Sequence, residues 1–457
     1  MQKWISRTAF LPSVLFPCAA LVIGLRNAAI FDAPMVFINA PFPAVIFFVT
    51  FGAVCIFRNR SPLLQVNFPG LLLFFTFTVG YLLLASIFNK PEINTNNIYF
   101  AADNWSWYQR MAAADGWNVG TRAVHPLAHL IFRPLVTLSS FFTAGDRFHA
   151  NLILLALAGG GCVFLMWKIL QQISGREAFA VLFASVLGLS ASHLIFASVI
   201  ESYIFSTLSL LFFIWLLLNN KSIYWMIAAG VVTLGITITN TAQQALMAVF
   251  VQKNFRKVAI LFTSIVLFGV GLNIVSRFVY PVTEYFFIPS NLTGEQRFSQ
   301  EISLKRAALM AENILVYNIA APQPYQSIRN EMPRFNFLNG TIWEYAWFGW
   351  PALIFWGIGL GLAFVGSFRN PAHRAMSAAM LSCLAFNFLL HIGYGIEPFL
   401  YSTDWTYAII LFVALSLMEW AERTWFNIGL FILVLSVFVN NLWVVYLIAR
   451  KVSEFLV

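Results

Sequence analysis

The sequence predicts an all-α, polytopic membrane protein: a helical bundle of 12–13 transmembrane helices with two long outer-face loops that carry interfacial helices. Three observations support this fold class. Hydrophobic residues make up 60% of the 457 residues and charged residues only 10%, whereas about 25% of a typical soluble domain is charged. Apolar stretches long enough to cross a bilayer recur along the whole chain. Basic residues collect in the short connections between these stretches, as the positive-inside rule requires.

Twelve apolar stretches have the roughly 17–25 residues that a transmembrane helix needs. They are 8–25, 40–57, 69–88, 148–170, 177–198, 200–219, 223–240, 258–279, 346–366, 375–393, 405–421 and 425–448. The first resembles a signal peptide, but we predict an uncleaved helix because more apolar stretches follow it. The short segment 241–252 is either a thirteenth, tilted span or a re-entrant hairpin. The segment 124–143 contains two histidines, an arginine and two prolines, so we expect it to lie at the interface.

The charge distribution predicts a cytoplasmic N-terminus. The short loops assigned to the cytoplasmic side contain 13 basic residues against three carboxylates, in agreement with the positive-inside rule. Two long loops, 89–148 and 281–345, then lie on the outer face. We accordingly divide the chain into two accessory helices (1–68), a module that includes the first long loop (69–280), the second long loop as a lid, and C-terminal helices (346–457).

Several functional classes are disfavoured by composition and motifs. The net charge is 27 − 18 = +9, but the basic residues flank predicted spans, so we expect no nucleic-acid partner. The four cysteines lie singly inside apolar stretches and form no CxxC motif. The sequence has no phosphate-binding glycine loop and no nucleophile elbow. We therefore expect no nucleotide chemistry and no organic cofactor.

The first long loop contains the main candidate for catalysis. Asp103 stands among aromatic residues in the run IYFAADNWSWYQR. A poorly solvated carboxylate can act as a general base, or it can cap a helix that begins at Asn104. Trp105 and Tyr108 could stack on sugar rings or belong to an interfacial aromatic belt. Asp115 could contact a substrate or shape a turn.

Other ionisable residues are predicted on the same face, where their cost near a membrane indicates function. His125 and His129 have the i, i+4 spacing of a zinc pair, but no third ligand is evident, so His125 more plausibly opens a helix. Glu201 lies between two spans. Glu397 and His391 lie in the interruption HIGYGIEPFLYSTDW, which fits a substrate pocket or a short connection. The remaining outer carboxylates considered are Glu284, Glu344 and Asp404.

The second long loop carries a basic set that includes Arg329 and Arg334. These arginines could bind a lipid phosphate or merely hydrate the loop. The stretch 301–318 reads as helical, and a proline-rich segment, 321–324, follows it. A loop of about 65 residues is far longer than an ordinary connection and is commonly a lid or a binding element.

The order of elements from about residue 69 to 280 resembles the GT-C superfamily of integral-membrane glycosyltransferases, in its aminoarabinose-transferase and protein O-mannosyltransferase branches. The matching features are Asp103 early in the outer loop, His125-Pro126 opening an interfacial helix, glycines at 159–161, the inner turn 174–177 and the outer Glu201. The resemblance covers slightly under half of the chain. Asp103 is followed by Asn104 rather than by a second carboxylate, so a requirement for a divalent cation stays open.

This resemblance implies an enzyme that moves a sugar from a polyprenyl-phosphate donor to a glycan, lipid or protein acceptor, on the outer face of the bacterial inner (plasma) membrane. Asp103 would deprotonate the acceptor hydroxyl in one inverting displacement. Arg329, Arg334 or His125 would stabilise the leaving phosphate. The alternatives are a multi-pass transporter or lipid-linked-glycan flippase, and an O-antigen polymerase or ligase-type enzyme. Most carboxylates lie at the ends of spans, which favours interfacial chemistry over transport.

Overall fold

A computed structural model of the chain describes residues 8–32, 41–252, 254–329, 332–338, 343–367 and 373–456. The helices are α1 (Leu11–Arg26), α2 (Pro41–Phe57), α3 (Pro62–Phe88), α4 (Pro91–Asn94), α5 (Asn104–Met111), α6 (Ala128–Ser140), α7 (Arg147–Ser174), α8 (Glu177–Leu189), α9 (Ala191–Phe196), α10 (Tyr203–Leu218), α11 (Ile223–Ile236), α12 (Asn240–Val251), α13 (Phe255–Val279), α14 (Leu304–Glu312), α15 (Trp350–Ser367), α16 (Arg374–Ile392), α17 (Thr403–Ser416) and α18 (Thr424–Leu456). One hairpin pairs β1 (Tyr325–Arg329) with the antiparallel β2 (Met332–Asn336).

The helices confirm the predicted fold class. Among the described residues, six are long and apolar enough to cross a membrane, judged by length and composition: α3, α7, α13, α15 with the turn before it, α16 and α18. Shorter apolar helices are α1, the second part of α2, α8, α10, α11 and α17. Together they coincide one to one with the twelve predicted stretches. The chain is therefore a multi-pass helical membrane protein.

The two long loops lie against each other at one end of the bundle, which we call the loop end. The backbone N–H of Phe100 donates to the carbonyl of Phe335, and the N–H of Phe335 donates to the carbonyl of Ile98, each at 2.9 Å. The first loop carries the short helices α4, α5 and α6, and the second carries α14 and the hairpin. The segment 124–143 forms the 13-residue helix α6, and its expected place at the membrane interface stays a prediction.

The short helix α12 connects α11 to α13. Both of these helices have their C-terminal ends at the loop end. The backbone N–H of Leu127 in the first loop donates to the carbonyl of Gly235 in α11 at 3.0 Å. The backbone N–H of Glu284, just after α13, donates to the carbonyl of Thr121 in the same loop at 3.2 Å. The helix α12 must therefore carry the chain away from the loop end. It has 12 residues, about 18 Å at 1.5 Å per residue, so it returns through part of the bundle's depth.

The centre of the bundle is formed by helices that approach each other closely. The helix α7 passes α3 at Gly160, where an added Cβ would collide with Thr78, and an added Cβ at Gly159 would collide with Ala197. Small residues permit such approaches between apolar helices. The hydroxyl of Tyr81 in α3 donates to the carbonyl at the end of α8, 2.7 Å away, because a polar group inside an apolar bundle needs an internal partner.

The rim of the bundle exposes apolar side chains, as helices that face lipid do. Only 28% of the most apolar window of α13 is buried and 22% of that of α15, against 67% for α3. The turn after α7 places Arg176 at the end opposite the loop end, where it pairs with Glu422. The predicted cytoplasmic residues Lys3, Arg7, Lys253 and Arg369 lie outside the described residues. Which end faces the cytoplasm stays a prediction.

Candidate functional site

A cavity of about 390 Å³ opens at the loop end, between the two long loops and the ends of α10, α16 and α17. Ionisable side chains in its lining are Asp103, Arg122, His125, Glu201, Glu295, Arg334, His391, Glu397 and Asp404. Aromatic side chains in its lining are Trp107, Tyr203, Phe298, Tyr394 and Tyr401. The volume is that of a small-molecule site. Six of the ten predicted site residues meet here: Asp103, His125, Glu201, Arg334, His391 and Glu397.

The other four predicted residues are not part of this lining. Trp105 and Tyr108 pack on each other, with ring centroids 5.4 Å apart, on a face of α5 outside the cavity. Asp115 is exposed beyond the end of α5. The predicted contact of these three residues with a substrate therefore finds no support in the lining of this cavity. Arg329 belongs to β1, but its side chain lies outside the part of the chain that the structure describes.

Asp103 precedes α5 but does not cap it. Its side chain makes no capping hydrogen bond; instead, the side-chain oxygen of Asn97 accepts the backbone N–H of Trp105 at 3.3 Å. The Asp103 carboxylate is half-buried and lines the cavity. The capping alternative is therefore wrong, and the carboxylate is directed to where a ligand would bind.

The turn before Asp103 has an unusual backbone conformation. Phe100 has φ 49° and Ala101 has φ 58°, a region that residues other than glycine rarely adopt. The Phe100 ring packs between the rings of Phe337 and Phe399, with centroids 4.9 and 4.8 Å away. Strained residues persist only where their surroundings enforce them. The second long loop therefore helps to hold Asp103 in the cavity wall.

Glu201 lies next to Asp103, in the connection between α9 and α10. Asn104 joins the two regions by donating to the carbonyl of Ile200 at 3.0 Å. The Glu201 carboxylate accepts from the backbone N–H of Ser202 at 2.9 Å. Burial raises the pKa of Glu201, and the nearby charge of Asp103 raises this pKa further. Glu201 therefore retains its proton where an exposed glutamate would lose it.

His125 is buried at the cavity edge and is neutral. Burial lowers its pKa to about 3, and the nearby Arg122 and Arg110 also disfavour the charged ring. Its Nδ1 lies 2.6 Å from the carbonyl oxygen of Ile236. Because a carbonyl only accepts, Nδ1 carries the hydrogen and Nε2 is an acceptor. The neutral ring can accept a hydrogen bond from a hydroxyl at Nε2, and this tautomer does not support the expectation that His125 stabilises a phosphate, which stays a prediction.

Glu397 connects the cavity to the second long loop. It is 1% exposed, and its oxygens accept the backbone N–H groups of Phe337 at 3.3 Å and Phe399 at 3.4 Å. Burial raises the pKa of Glu397 to about 7, although these two hydrogen bonds oppose the shift. A carboxyl group poised near neutrality is typical of a functional site.

The turn that carries Glu397 is organised by Arg306 of α14. This guanidinium donates to the carbonyls of His391 at 2.9 Å and Ile396 at 3.0 Å, and also contacts that of Gly395. The His391 ring stacks on the Tyr401 ring, with centroids 4.2 Å apart. The interruption between α16 and α17 is therefore both a short connection and part of the cavity wall.

Sequence reasoning missed Arg122 and Glu295 and did not distinguish Trp107 from the other aromatic residues of the first loop. Arg122 forms an ion pair with Glu295, which is 173 residues away, so no local pattern could reveal it. The Trp107 ring packs edge-on against His125, with centroids 4.9 Å apart. The position of Trp107 could be predicted from the sequence, because Asn104, Trp107 and Met111 share one helical face. These three residues of α5 are buried.

Asp404 begins a chain of hydrogen bonds that leads into the bundle. Its Oδ1 accepts from Asn240 at 2.9 Å. The side chain of Gln243 donates to that of Asn240, also at 2.9 Å, and the Tyr407 hydroxyl donates to Gln243 at 2.8 Å. The donors all point toward Asp404, so the chain presents it to the cavity as an acceptor.

The second predicted arginine, Arg334 of β2, lines the cavity and donates to the carbonyl of Asn96 at 3.3 Å. The described residues contain no group of three or more His, Cys, Asp or Glu side chains placed to hold a metal ion, and a divalent cation stays a prediction. The cavity combines acceptors, aromatic rings and two arginines, which suits a hydroxyl-rich ligand with an anionic group.

Compared with known proteins, the chain matches no family model, no curated protein and no solved structure.

Proposed function

We propose that the protein is a membrane glycosyltransferase of the GT-C type, which moves a sugar from a polyprenyl-phosphate donor to a glycan, lipid or protein acceptor. The observation that carries this proposal is the Asp103 carboxylate, which caps no helix and faces a cavity enclosed by both long loops. The cavity lies where the spans end, which is the level at which a lipid-linked substrate presents its head group. Arg122 and Arg334 provide the charge that a phosphate needs.

In the proposed reaction, Asp103 takes the proton of the acceptor hydroxyl while the hydroxyl oxygen bonds to the anomeric carbon. The bond between that carbon and the phosphate oxygen breaks, and its electron pair leaves with the lipid phosphate, so the product is inverted. Glu201 keeps its proton and donates a hydrogen bond to the sugar, so it does not compete with Asp103 for the acceptor's proton. Both arginines stabilise the charge that develops on the leaving phosphate.

The proposed location is the inner (plasma) membrane of a bacterium, with the cavity facing outward. The support is the distribution of positive charge at helix ends away from the cavity: Arg176, Lys221 and Arg423 lie in short connections, and Arg256 lies in the first turn of α13. Short loops rich in lysine and arginine remain in the cytoplasm. A donor assembled on a polyprenyl phosphate would then be used after it reaches the outer leaflet.

The proposal is tested with the purified chain in liposomes, supplied with a panel of polyprenyl-phosphate sugars, by measuring the released polyprenyl phosphate. Asp103→Asn should lower turnover by roughly 10²–10⁴-fold, the usual contribution of a general base. Folding should be unaffected because Asn97 caps α5. The control is Asp115→Asn, an exposed carboxylate in the same loop, which should turn over normally. Near-native turnover by Asp103→Asn would remove the base from the mechanism.

A transporter or flippase is the second candidate, and the hydrogen-bond chain at Asp404 is the observation that favours it. Transporters place ionisable groups inside spans, on the path of the substrate or of a coupled ion. The assay uses liposomes with a labelled lipid-linked sugar in one leaflet. Movement to the other leaflet without cleavage, lost in Asp404→Asn and kept in Asp103→Asn, would support transport over transfer.

A further inference from the structure

Arg122 and Glu295 form a two-point ion pair in the wall of the cavity. The guanidinium Nε lies 2.9 Å from one Glu295 oxygen, and Nη2 contacts the other. The two side chains retain 21% and 15% of their exposure, so a ligand can reach the pair. A guanidinium uses this paired geometry for carboxylates and for phosphates alike. Glu295 therefore occupies the position that a phosphate would take.

The segment that carries Glu295 is only lightly attached to the rest of the protein. The 3₁₀ stretch Pro289–Phe298 contains no buried residue. Tyr394 donates to Glu295 at 2.7 Å, and the Phe298 ring lies 4.9 Å from the guanidinium carbon of Arg122. A segment with few buried contacts opens at a small free-energy cost. The backbone N–H of Gly395 also donates to the carbonyl of Phe298 at 2.9 Å and anchors the last residue of the segment. The polar attachment of the preceding residues to the cavity thus depends on the carboxylate of Glu295 and its two partners.

We infer that Glu295 is a placeholder for the phosphate of the lipid-linked donor: the phosphate binds Arg122 by displacing the Glu295 carboxylate, and the displacement releases the 289–298 segment from the cavity. This inference rests on the proposed function, because it requires a ligand that carries a phosphate. It also changes the residue expected to bind that phosphate, from Arg329 and Arg334 to Arg122.

The charges around the cavity favour exchange over simple addition. Besides Glu295, the lining contains four carboxyl side chains: Asp103, Glu201, Glu397 and Asp404. Glu201 keeps its proton, but a phosphate added while Glu295 stays on Arg122 would meet the negative charges of Glu295 and Asp103. The phosphodiester of a lipid-linked sugar carries one negative charge, as the glutamate does. Replacing one by the other leaves Arg122 neutralised, and Glu295 moves to solvent.

Arg334 takes no part in the exchange proposed here. Its guanidinium donates to the backbone carbonyl of Asn96 at 3.3 Å, whereas Arg122 is bound by the Glu295 carboxylate. Arg334 is therefore the matched control for Arg122, since both arginines line the same cavity.

The test measures binding of farnesyl phosphate to the purified full-length chain at about pH 5, where this monoester carries about one negative charge, as the donor's phosphodiester does. Farnesol is the uncharged lipid and inorganic phosphate the free anion. Glu295→Gln removes the competing charge and should tighten farnesyl phosphate binding about tenfold, with farnesol unchanged. Arg122→Gln should weaken it at least about tenfold, the loss expected for a charge-assisted contact. Arg334→Gln should have a smaller effect, and Glu301→Gln, an exposed carboxylate of the same loop, none.

The gain expected for Glu295→Gln cannot come from misfolding. Unchanged or weaker binding in this variant would make the pair a structural clasp and overturn the inference, while a native preference for farnesyl phosphate over farnesol would still support the proposed function. If the native chain shows no such preference, the proposed function fails as well. If inorganic phosphate binds as tightly as farnesyl phosphate, the site takes a free anion, and the assignment to a lipid is overturned.

Discussion

The two long loops meet at one cavity, but they are held in different ways. The first loop is anchored by side chains: α5 buries Trp107 and Met111, and α6 buries Phe132. The second loop also has buried anchors, among them Tyr317 and Phe337, but its segment Pro289–Phe298 buries no side chain. Hydrogen bonds and an ion pair connect this segment to the cavity. A catalytic base needs a rigid support, whereas a ligand-gated element needs a low barrier to opening. The difference is consistent with the proposed positioning of Asp103 by the first loop and with the inferred release of the 289–298 segment of the second.

The largest expected effect concerns the side of the membrane on which the two loops lie. If both belong to one outer face, cysteines at Asp115 in the first loop and Glu344 in the second, both exposed, should be labelled by an impermeant maleimide added outside whole cells. Ser174→Cys, at the opposite end of the bundle, should be labelled only after lysis. Native Cys18 and Cys55, which are not buried, are first changed to serine. Labelling of one loop without the other would separate the loops and contradict the shared cavity.

The next test compares one aromatic residue from each loop. Trp107→Ala should destabilise the protein by about 3–5 kcal/mol, as expected for a buried aromatic side chain, because Trp107 is 2% exposed. Phe298→Ala, in the half-buried end of the 289–298 segment, should cost about 1 kcal/mol or less. The measurement is the apparent Tm of each variant in the same detergent. Equal losses would show that the second loop is anchored as firmly as the first.

Glu397 joins the second loop to the bundle, and its ionisation should make this junction sensitive to pH. Its pKa is raised from 4.5 to about 7, so between these values the folded protein holds a proton that the unfolded chain has lost. Stability should therefore fall as pH rises through this window and level off above it, by about 1.4 kcal/mol for each pKa unit. Glu397→Gln should flatten the change in apparent Tm between pH 5 and 7.5. Glu344→Gln, at an exposed site, should retain the native slope; a native-like slope in Glu397→Gln would assign the effect elsewhere.

The fold was more accessible from the sequence than the site. Twelve apolar stretches suffice to place the helices, because a bilayer demands a fixed apolar length. Carboxylates at or near the ends of those stretches could also be recognised in the sequence, and three of them, Asp103, Glu201 and Glu397, meet in the cavity. The face of α5 was misjudged because its aromatic residues were treated as one set, although the helical period separates Trp107 from Trp105.

Two features of the site depend on contacts that no local pattern encodes. The cap of α5 comes from Asn97, seven residues before the helix begins, because the intervening turn folds back on itself. The pair of Arg122 and Glu295 spans 173 residues. Such contacts follow from the packing of the two loops on each other, which becomes apparent only in three dimensions.

The smallest expected effect concerns the turn that precedes Asp103 and is enforced by both loops. Ala101 has φ 58°, where a non-glycine residue is strained by about 1–2 kcal/mol. Ala101→Gly relieves that strain but gives the unfolded chain about 0.5–1 kcal/mol of extra freedom. Stability should therefore stay equal or rise by about 1 kcal/mol or less. The control is Ala114→Gly, at an exposed position outside the left-handed region, which gains only the unfolded-state freedom and should lose stability.

If the strained turn aims Asp103, Ala101→Gly should also lower kcat a few-fold with KM unchanged, because the carboxylate would be held less firmly. Identical behaviour of the two variants in stability and turnover would mean that the turn stores no strain and that the first loop positions Asp103 without help from the second.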